Sequence, residues 1–305
     1  VNFSCNLHLA VIILQQKEFI FCRNLLIWEE KMRSFIKQTV VAAVFLMGSA
    51  GVAFAGNVVI KGSTTVLPVA QATIEAFMKK NPGVSVSLSG GGSGEGIKAL
   101  LDKMANIANM SRTAKKQEID QGKAKGVAVY QNVVAIDAIV PVVNPQNKVG
   151  NLSTDQLSQI YQGKIRNWKE VGGDDLEIVV VSRDSSSGTF EAWGEIVLKK
   201  ARVSPRAQLQ ASSGAIVQAV SKNKYAIGYV GLGYLEKSVK ALKVNGVEAS
   251  AKTALSREYP VARDLYMYTS GKPQGETAAY INFVLSPEGQ KLVQKAGFVP
   301  VTTKK

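Results

Sequence analysis

The chain has 305 residues with 37 Lys and Arg against 23 Asp and Glu, a formal net charge of +14. Such a surplus attracts anions, but the lysines are scattered without an aromatic-interleaved basic stripe, which argues against nucleic acid. Cys5, Cys22 and His8 are the only cysteines and the only histidine, and all precede Met32. Any working domain downstream therefore excludes disulfides, thiolate catalysis, imidazole bases and Cys/His zinc sites.

From Met32 the sequence reads "MRSFIKQTVVAAVFLMGSAGVAFAG". Arg33 and Lys37 form a basic start, 40–47 an apolar run, and Ala53-Phe54-Ala55 a small-residue cleavage site, the layout of a secretory signal peptide over 32–55. No cysteine follows that site, so no lipid anchor is expected there. Residues 1–31 read as an upstream extension of the reading frame, because a signal peptide starts at its own methionine. The expectation is an exported, periplasmic protein beginning at Gly56. Residues 1–55 carry +2 of the +14, so the remainder keeps +12.

Downstream, short β-branched runs alternate with helical ones. A strand is expected over 58–61. A helix follows over 66–80, with Val66, Val69, Ala70, Ile74, Phe77 and Met78 on its apolar side. A strand at 84–89 alternates Val84, Val86 and Leu88, and a glycine-rich turn leads to a helix at 97–105. Residues 133–143 read as a buried strand closed by "NPQN". Then come a helix at 153–161, a strand at 178–181, a helix at 189–200, a strand at 225–230, and helix over 280–296 interrupted by "SPEG". This β-loop-α repetition predicts an α/β fold with a parallel sheet.

Three times a strand ends in a Gly/Ser/Thr-rich turn that begins a helix: "GSTT" (62–65), "GGGSGEG" (90–96) and "RDSSSGT" (183–189). Small residues let backbone approach a ligand, and a helix start supplies N–H donors and a positive dipole end. One such loop is an ordinary capped turn. Three, one carrying Arg183, favour an oxyanion cradle at the carboxyl ends of the strands. There is no GxxxxGK[ST] phosphate loop. Ser93 in "GGSGE" sits in a near-miss of a nucleophile elbow, with Glu95 in place of the last glycine and no histidine to activate it.

At these loops the sequence resembles the phosphate-binding protein of bacterial phosphate ABC importers, in its shorter form. The likeness continues through "NLSTDQLSQIYQGKIRNWKEVGG" (151–173), "AIGYVGLGYL" (226–235), "YPVARDLYMYT" (259–269) and "FVLSPEGQKLVQKAGFVPV" (283–301). The resemblance implies a type II periplasmic binding protein fold, two α/β lobes joined by a two-crossing hinge. Lobe 1 would be 56–140 plus 264–305 and lobe 2 141–263. It implies a monomer without cofactor that captures inorganic phosphate and docks on a membrane permease. Its site falls on Thr64 and Thr65 with Ser63 beside them, on Ser93, and on Arg183, Ser187, Gly188 and Thr189.

Longer members place a proton-accepting aspartate where this chain reads "NMSRTAKK", so Ser111 and Arg112 are expected as further donors. An acceptor is still required, since a donor-only site also welcomes sulfate. Asp137 is the first candidate and Asp184 the second, each with an ordinary alternative: a cap or hinge hydrogen bond for Asp137, an orienting partner of Arg183 for Asp184. Trp168, Trp193, Tyr225, Tyr229 and Tyr234 read as packing residues. The alternatives kept open are a receptor for another tetrahedral oxyanion or a phosphonate, a phosphate sensor, and an exported phosphate-ester hydrolase using a bare Ser or Ser-Lys site.

Overall fold

The computed structural model describes residues 56–301. The expected upstream extension and signal peptide lie outside the described residues. The first part of the chain runs β1 (Gly56–Gly62), α1 (Leu67–Lys80), β2 (Val84–Ser89), α2 (Ser93–Leu101), β3 (Ile107–Met110), α3 (Lys116–Ala124) and β4 (Val129–Val143). The middle runs β5 (Asn151–Leu152), α4 (Thr154–Tyr161), β6 (Val179–Arg183), α5 (Gly188–Ile196), β7 (Gln208–Gln210), α6 (Ser213–Ser221) and β8 (Ala226–Gly231). Then follow β9 (Lys240–Ala241), β10 (Lys243–Val244), α7 (Ala251–Leu255), β11 (Ala262–Ser270), α8 (Gly275–Leu285) and α9 (Pro287–Lys295).

The main sheet is ordered β2-β1-β3-β11-β4-β8-β6-β7. Its two wings are parallel, β2-β1-β3 on one side and β8-β6-β7 on the other. Two antiparallel strands join them. The 15-residue β4 pairs with β11 along its first part and passes to β8 from Ile139 onward. Burial explains the near-continuous apolar run that follows: from Val134 to Val143 nearly every side chain is covered on both faces.

The core divides where β4 changes partner. Val58, Ile60, Val69, Phe77, Leu265 and Tyr280 pack in one cluster, with Ile97, Leu100, Met110 and Tyr268 in its neighbour. From Ile136 onward β4 packs instead into another core with Trp168, Trp193, Tyr229 and Val261, with Val142, Val181, Ile216 and Val230 beside it. The Trp193 ring stacks on Tyr229 with centroids 4.5 Å apart, a contact worth about 0.5–1.5 kcal/mol beyond area burial. Trp168, Trp193 and Tyr229 are thus packing residues, as expected from the sequence.

Boundaries shift in instructive ways. The helix expected at 97–105 begins at Ser93, because Gly91 and Gly92 take φ of 133° and 96° and turn the chain at once. The helix expected over 189–200 ends at Ile196. That expected over 280–296 is two helices divided at Ser286, which caps the second by accepting from Gly289 N. β3, α3, α6 and β11 have no counterpart among the elements expected from periodicity. β3 has only four residues, "IANM", too few for a period to show.

Candidate functional site

None of the three hydroxyls after β1 caps the helix that follows. The N-cap of α1 is Val66, without a side-chain cap, and Pro68 lies in the first turn. The hydroxyls are instead turned inward and buried. Ser63 Oγ accepts from Thr65 N at 3.2 Å and shapes the loop. Thr65 Oγ1 lies 2.8 Å from Thr189 Oγ1 on α5. Thr64 Oγ1 accepts from Ser213 N at 3.3 Å, and Tyr234 Oη donates to Thr64 O. Burial pushes the Tyr234 phenol up to about 12, so it stays a donor at neutral pH.

The second loop meets the third directly. Gly94 N donates to Ser186 O at 2.9 Å, and Ser186 Oγ donates to Gly91 O at 2.9 Å. A Cβ on Gly92 would stand 2.5 Å from Ser186 O, so the approach requires glycine. Ser93 Oγ accepts from Ser111 N at 3.0 Å. Ser111 Oγ lies 3.4 Å from Thr189 Oγ1. Gly188 seals the cluster: a Cβ there would stand 2.2 Å from Ser93 Oγ and 2.8 Å from Ser111 Oγ.

In the third loop Ser187 is the N-cap of α5, accepting from Phe190 N at 3.2 Å. Arg183 is 1% exposed and is fixed by two carbonyls, Nε to Gln210 O at 2.9 Å and Nη2 to Ala211 O at 3.0 Å. Its Nη1 points to Ser213 Oγ at 3.4 Å, beside Thr64. Burial pulls its guanidinium below the ordinary arginine value, opposed by Asp184. Tyr229 Oη accepts from Arg183 N at 3.2 Å and lies 2.9 Å from Ser182 Oγ. Asp184 Oδ1 accepts from Ser186 N at 2.8 Å and lies close to Ser186 Oγ, while its Oδ2 stands 3.9 Å from Arg183 Nη2. Asp184 therefore holds the loop through Ser186 N, and Arg183 is oriented by Gln210 O and Ala211 O with Asp184 as a more distant counter-charge.

Arg263 and Asp137 complete the centre. Asp137 Oδ2 accepts from Arg263 Nε at 3.1 Å and Nη2 at 2.9 Å, and its Oδ1 accepts from Leu232 N at 2.9 Å. The same guanidinium donates to Thr189 Oγ1 at 3.0 Å and to Ser111 O at 2.9 Å. Burial pushes the Asp137 carboxyl up and the Arg263 guanidinium down, and their mutual attraction opposes both shifts.

Arg112 is not brought to this cluster. Its Nη1 and Nη2 donate to Glu118 at 2.9 and 2.8 Å, Nη1 also to Thr113 O, and its Nε stands 3.0 Å from Glu191 Oε2. The structure thus gathers Thr64, Thr65, Ser93, Ser111, Arg183, Gly188 and Thr189, with Ser63 and Ser187 shaping the loops. Sequence reasoning missed Arg263, Ser213 and Tyr234 as members. Ser213 had a signal, since "ASSGA" (211–215) is a fourth Ser/Gly-rich turn between strand and helix. Arg263 had none of its own among 37 basic residues.

Chemically the cluster is a set of hydroxyls, backbone amides and two guanidiniums, with one buried carboxylate behind it. Hydroxyls turn to donate or accept, and guanidiniums give charge-assisted bonds to oxyanions. The described hydroxyls touch one another and the guanidiniums, with neither histidine nor thiol among residues 56–301. No group of three or more metal-ligating side chains occurs among the described residues.

Residues 48–288 match the family model of the PBP superfamily domain. The phosphate-binding protein PstS of Borreliella burgdorferi is 34% identical over 256 residues, covering 80% of this chain and 90% of that relative. The PstS protein of Bacillus subtilis is 32% identical over 252 residues, covering 82% of each. A solved substrate-binding protein from Clostridium perfringens, assigned to a phosphate ABC transporter and holding bound phosphate, is 38% identical. It covers 81% of this chain and 100% of that one, with a TM-score of 0.76. An ABC-type phosphate transport receptor from Vibrio cholerae superposes with a TM-score of 0.67 at 30% identity, covering 80% of this chain and 100% of that one. The wings of parallel sheet joined by two strands, the loops that meet between them and these likenesses lead to one assignment: the chain belongs to the PBP superfamily and, within it, to the family of PstS phosphate-binding proteins.

Proposed function

We propose that this protein captures inorganic phosphate in a cleft between two lobes and delivers it to the membrane permease of an ABC importer, without making or breaking a bond. Lobe 1 comprises 56–140 with 264–305 and lobe 2 comprises 141–263. The protein acts after export, in the periplasm, as a monomer without a lipid anchor. The observation that carries the reading is the convergence of Thr65, Ser93, Ser111 and Thr189, from loops on both sides of β4, around buried Arg263, with buried Arg183 beside Ser213 and Thr64. Burial of so many donors is costly unless they are paired, and a tetrahedral oxyanion stripped of water offers enough acceptor positions for them.

Thr64, Thr65, Ser93, Ser111, Ser213, Thr189 and the amides around Gly188 donate to the phosphate oxygens, and Arg183 and Arg263 supply charge. Asp137, behind the hydroxyls, accepts the phosphate proton. That acceptor distinguishes phosphate from fully ionised sulfate. Calorimetry of the full chain, first stripped of bound anion, tests the reading. The expected result is one phosphate per chain with heat that excess sulfate leaves unchanged at neutral pH. Equal competition by sulfate would make it a general oxyanion receptor, and absence of heat with phosphate would overturn the proposal.

A further inference from the structure

Beyond the anion cluster, Arg112, Glu118, Lys115 and Glu191 form a separate charged group. Glu191 Oε2 stands 3.0 Å from Arg112 Nε and 2.5 Å from Lys115 Nζ. The Arg112, Glu118 and Glu191 side chains are only 7%, 15% and 15% exposed. Arg112, Lys115 and Glu118 come from the segment that precedes β4, whereas Glu191 lies on α5, in the other wing. The group therefore crosses between the two halves.

Its members are not equivalent. Glu118 binds Arg112 through two hydrogen bonds and also accepts from Lys115 N at 2.8 Å, all within one half. Burial works against the charge of Arg112, and the two carboxylates more than offset it, holding the guanidinium above its ordinary value. If the halves separate, Arg112 keeps Glu118, but Glu191 loses both partners. The position of the group matters equally. Arg112 directly follows Ser111, and Glu191 stands two residues after Thr189, so pulling Glu191 onto Arg112 draws the Thr189 hydroxyl toward Ser111 and Thr65.

We propose that Glu191 is a positioning residue for anion binding: it latches the two halves through Arg112 and Lys115 and so sets how fast phosphate leaves. The inference rests on the phosphate reading for its ligand, but not for the latch itself. Truncating one partner of a largely buried charged pair acts mainly on dissociation.

The test uses the full chain. Glu191→Gln keeps the shape and leaves Arg112 paired with Glu118. It is expected to speed release of radiolabelled phosphate about tenfold, with association changed less than about twofold. Lys115→Met, at a more exposed partner, is expected to speed release only about twofold, and to add nothing in the Glu191→Gln background. Release unchanged by Glu191→Gln, or effects of the two substitutions that simply multiply, would overturn the latch. Hydrogen exchange without phosphate gives a second readout. Glu191→Gln should raise exchange across 108–115 and 186–191, and identical exchange would sink the latch even if the wild type bound no phosphate. Conversely, a wild type that bound no phosphate while Glu191→Gln raised that exchange would refute the phosphate reading and uphold the latch.

Discussion

Asp137 and Arg263 are register partners on β4 and β11, the two strands that join the wings, and their side chains meet at 2.9 Å with the carboxylate wholly buried. The pair stands at the crossing itself, and its guanidinium reaches on to Thr189 and Ser111. One residue pair thus ties the fold's midline to the anion cluster.

Asp137→Asn leaves a buried guanidinium without its counter-charge. Removing one partner of a buried pair costs about 3–5 kcal/mol, and a loss of that size is expected in urea unfolding. Arg263→Met with Asp137→Asn together should recover part of it, because no unpaired charge then remains. If Asp137 is also the proton acceptor, the Asn variant that stays folded should gain sulfate binding. Unchanged phosphate affinity with unchanged sulfate rejection would remove Asp137 from that role.

Gly188→Ala places a methyl group 2.2 Å from Ser93 Oγ, in the middle of the cluster. Loss of phosphate heat by a factor of about a hundred or more is expected, with a circular dichroism spectrum like the wild type's, since the change fills the site rather than the core. Wild-type affinity would mean that the ligand sits elsewhere.

Arg183→Met removes a guanidinium that two backbone carbonyls hold in place. Hydrogen bonds to a charged group contribute about 1.5–3 kcal/mol, so phosphate affinity measured by calorimetry should fall roughly ten- to a hundredfold. Arg183→Lys should recover little, because one ammonium cannot reach Gln210 O, Ala211 O and the ligand together.

Acid should loosen the Arg112 group. Burial raises the Glu118 carboxyl, but hydrogen bonds from Arg112 and from Lys115 N outweigh it and leave the group below its ordinary 4.5. A depressed carboxylate stabilises the fold above its unfolded value, and that contribution is lost as pH falls through the folded one. Stability from denaturant melts should therefore decline below about pH 4.5, and Glu118→Gln should flatten the decline. Asp137, raised by burial, contributes with the opposite sign.

The chain's local chemistry was largely legible. Val58, Val69 and Phe77 announced β1 and α1 because amphipathic period is written in the order of residues. The three Gly/Ser/Thr turns announced donors at strand ends. The glycines at 91, 92 and 188 are needed for positive φ or close approach, and such needs leave a mark in composition. The four residues of β3 left none, nor did α3, which has only Gly122 buried.

Arginine shows the limit most clearly. Arg183 was found because it stands inside a recognisable loop. Arg112 and Arg263 carry the same charge, yet one is claimed by Glu118 and Glu191 and the other by Asp137, Thr189 and Ser111. Which donors exist, and that they cluster at helix starts, is written in residue type and in neighbours within a few positions. Which guanidinium meets the hydroxyls and which latches the halves is settled by folding, because a charge takes its role from partners that lie as far apart in the chain as 137 and 263.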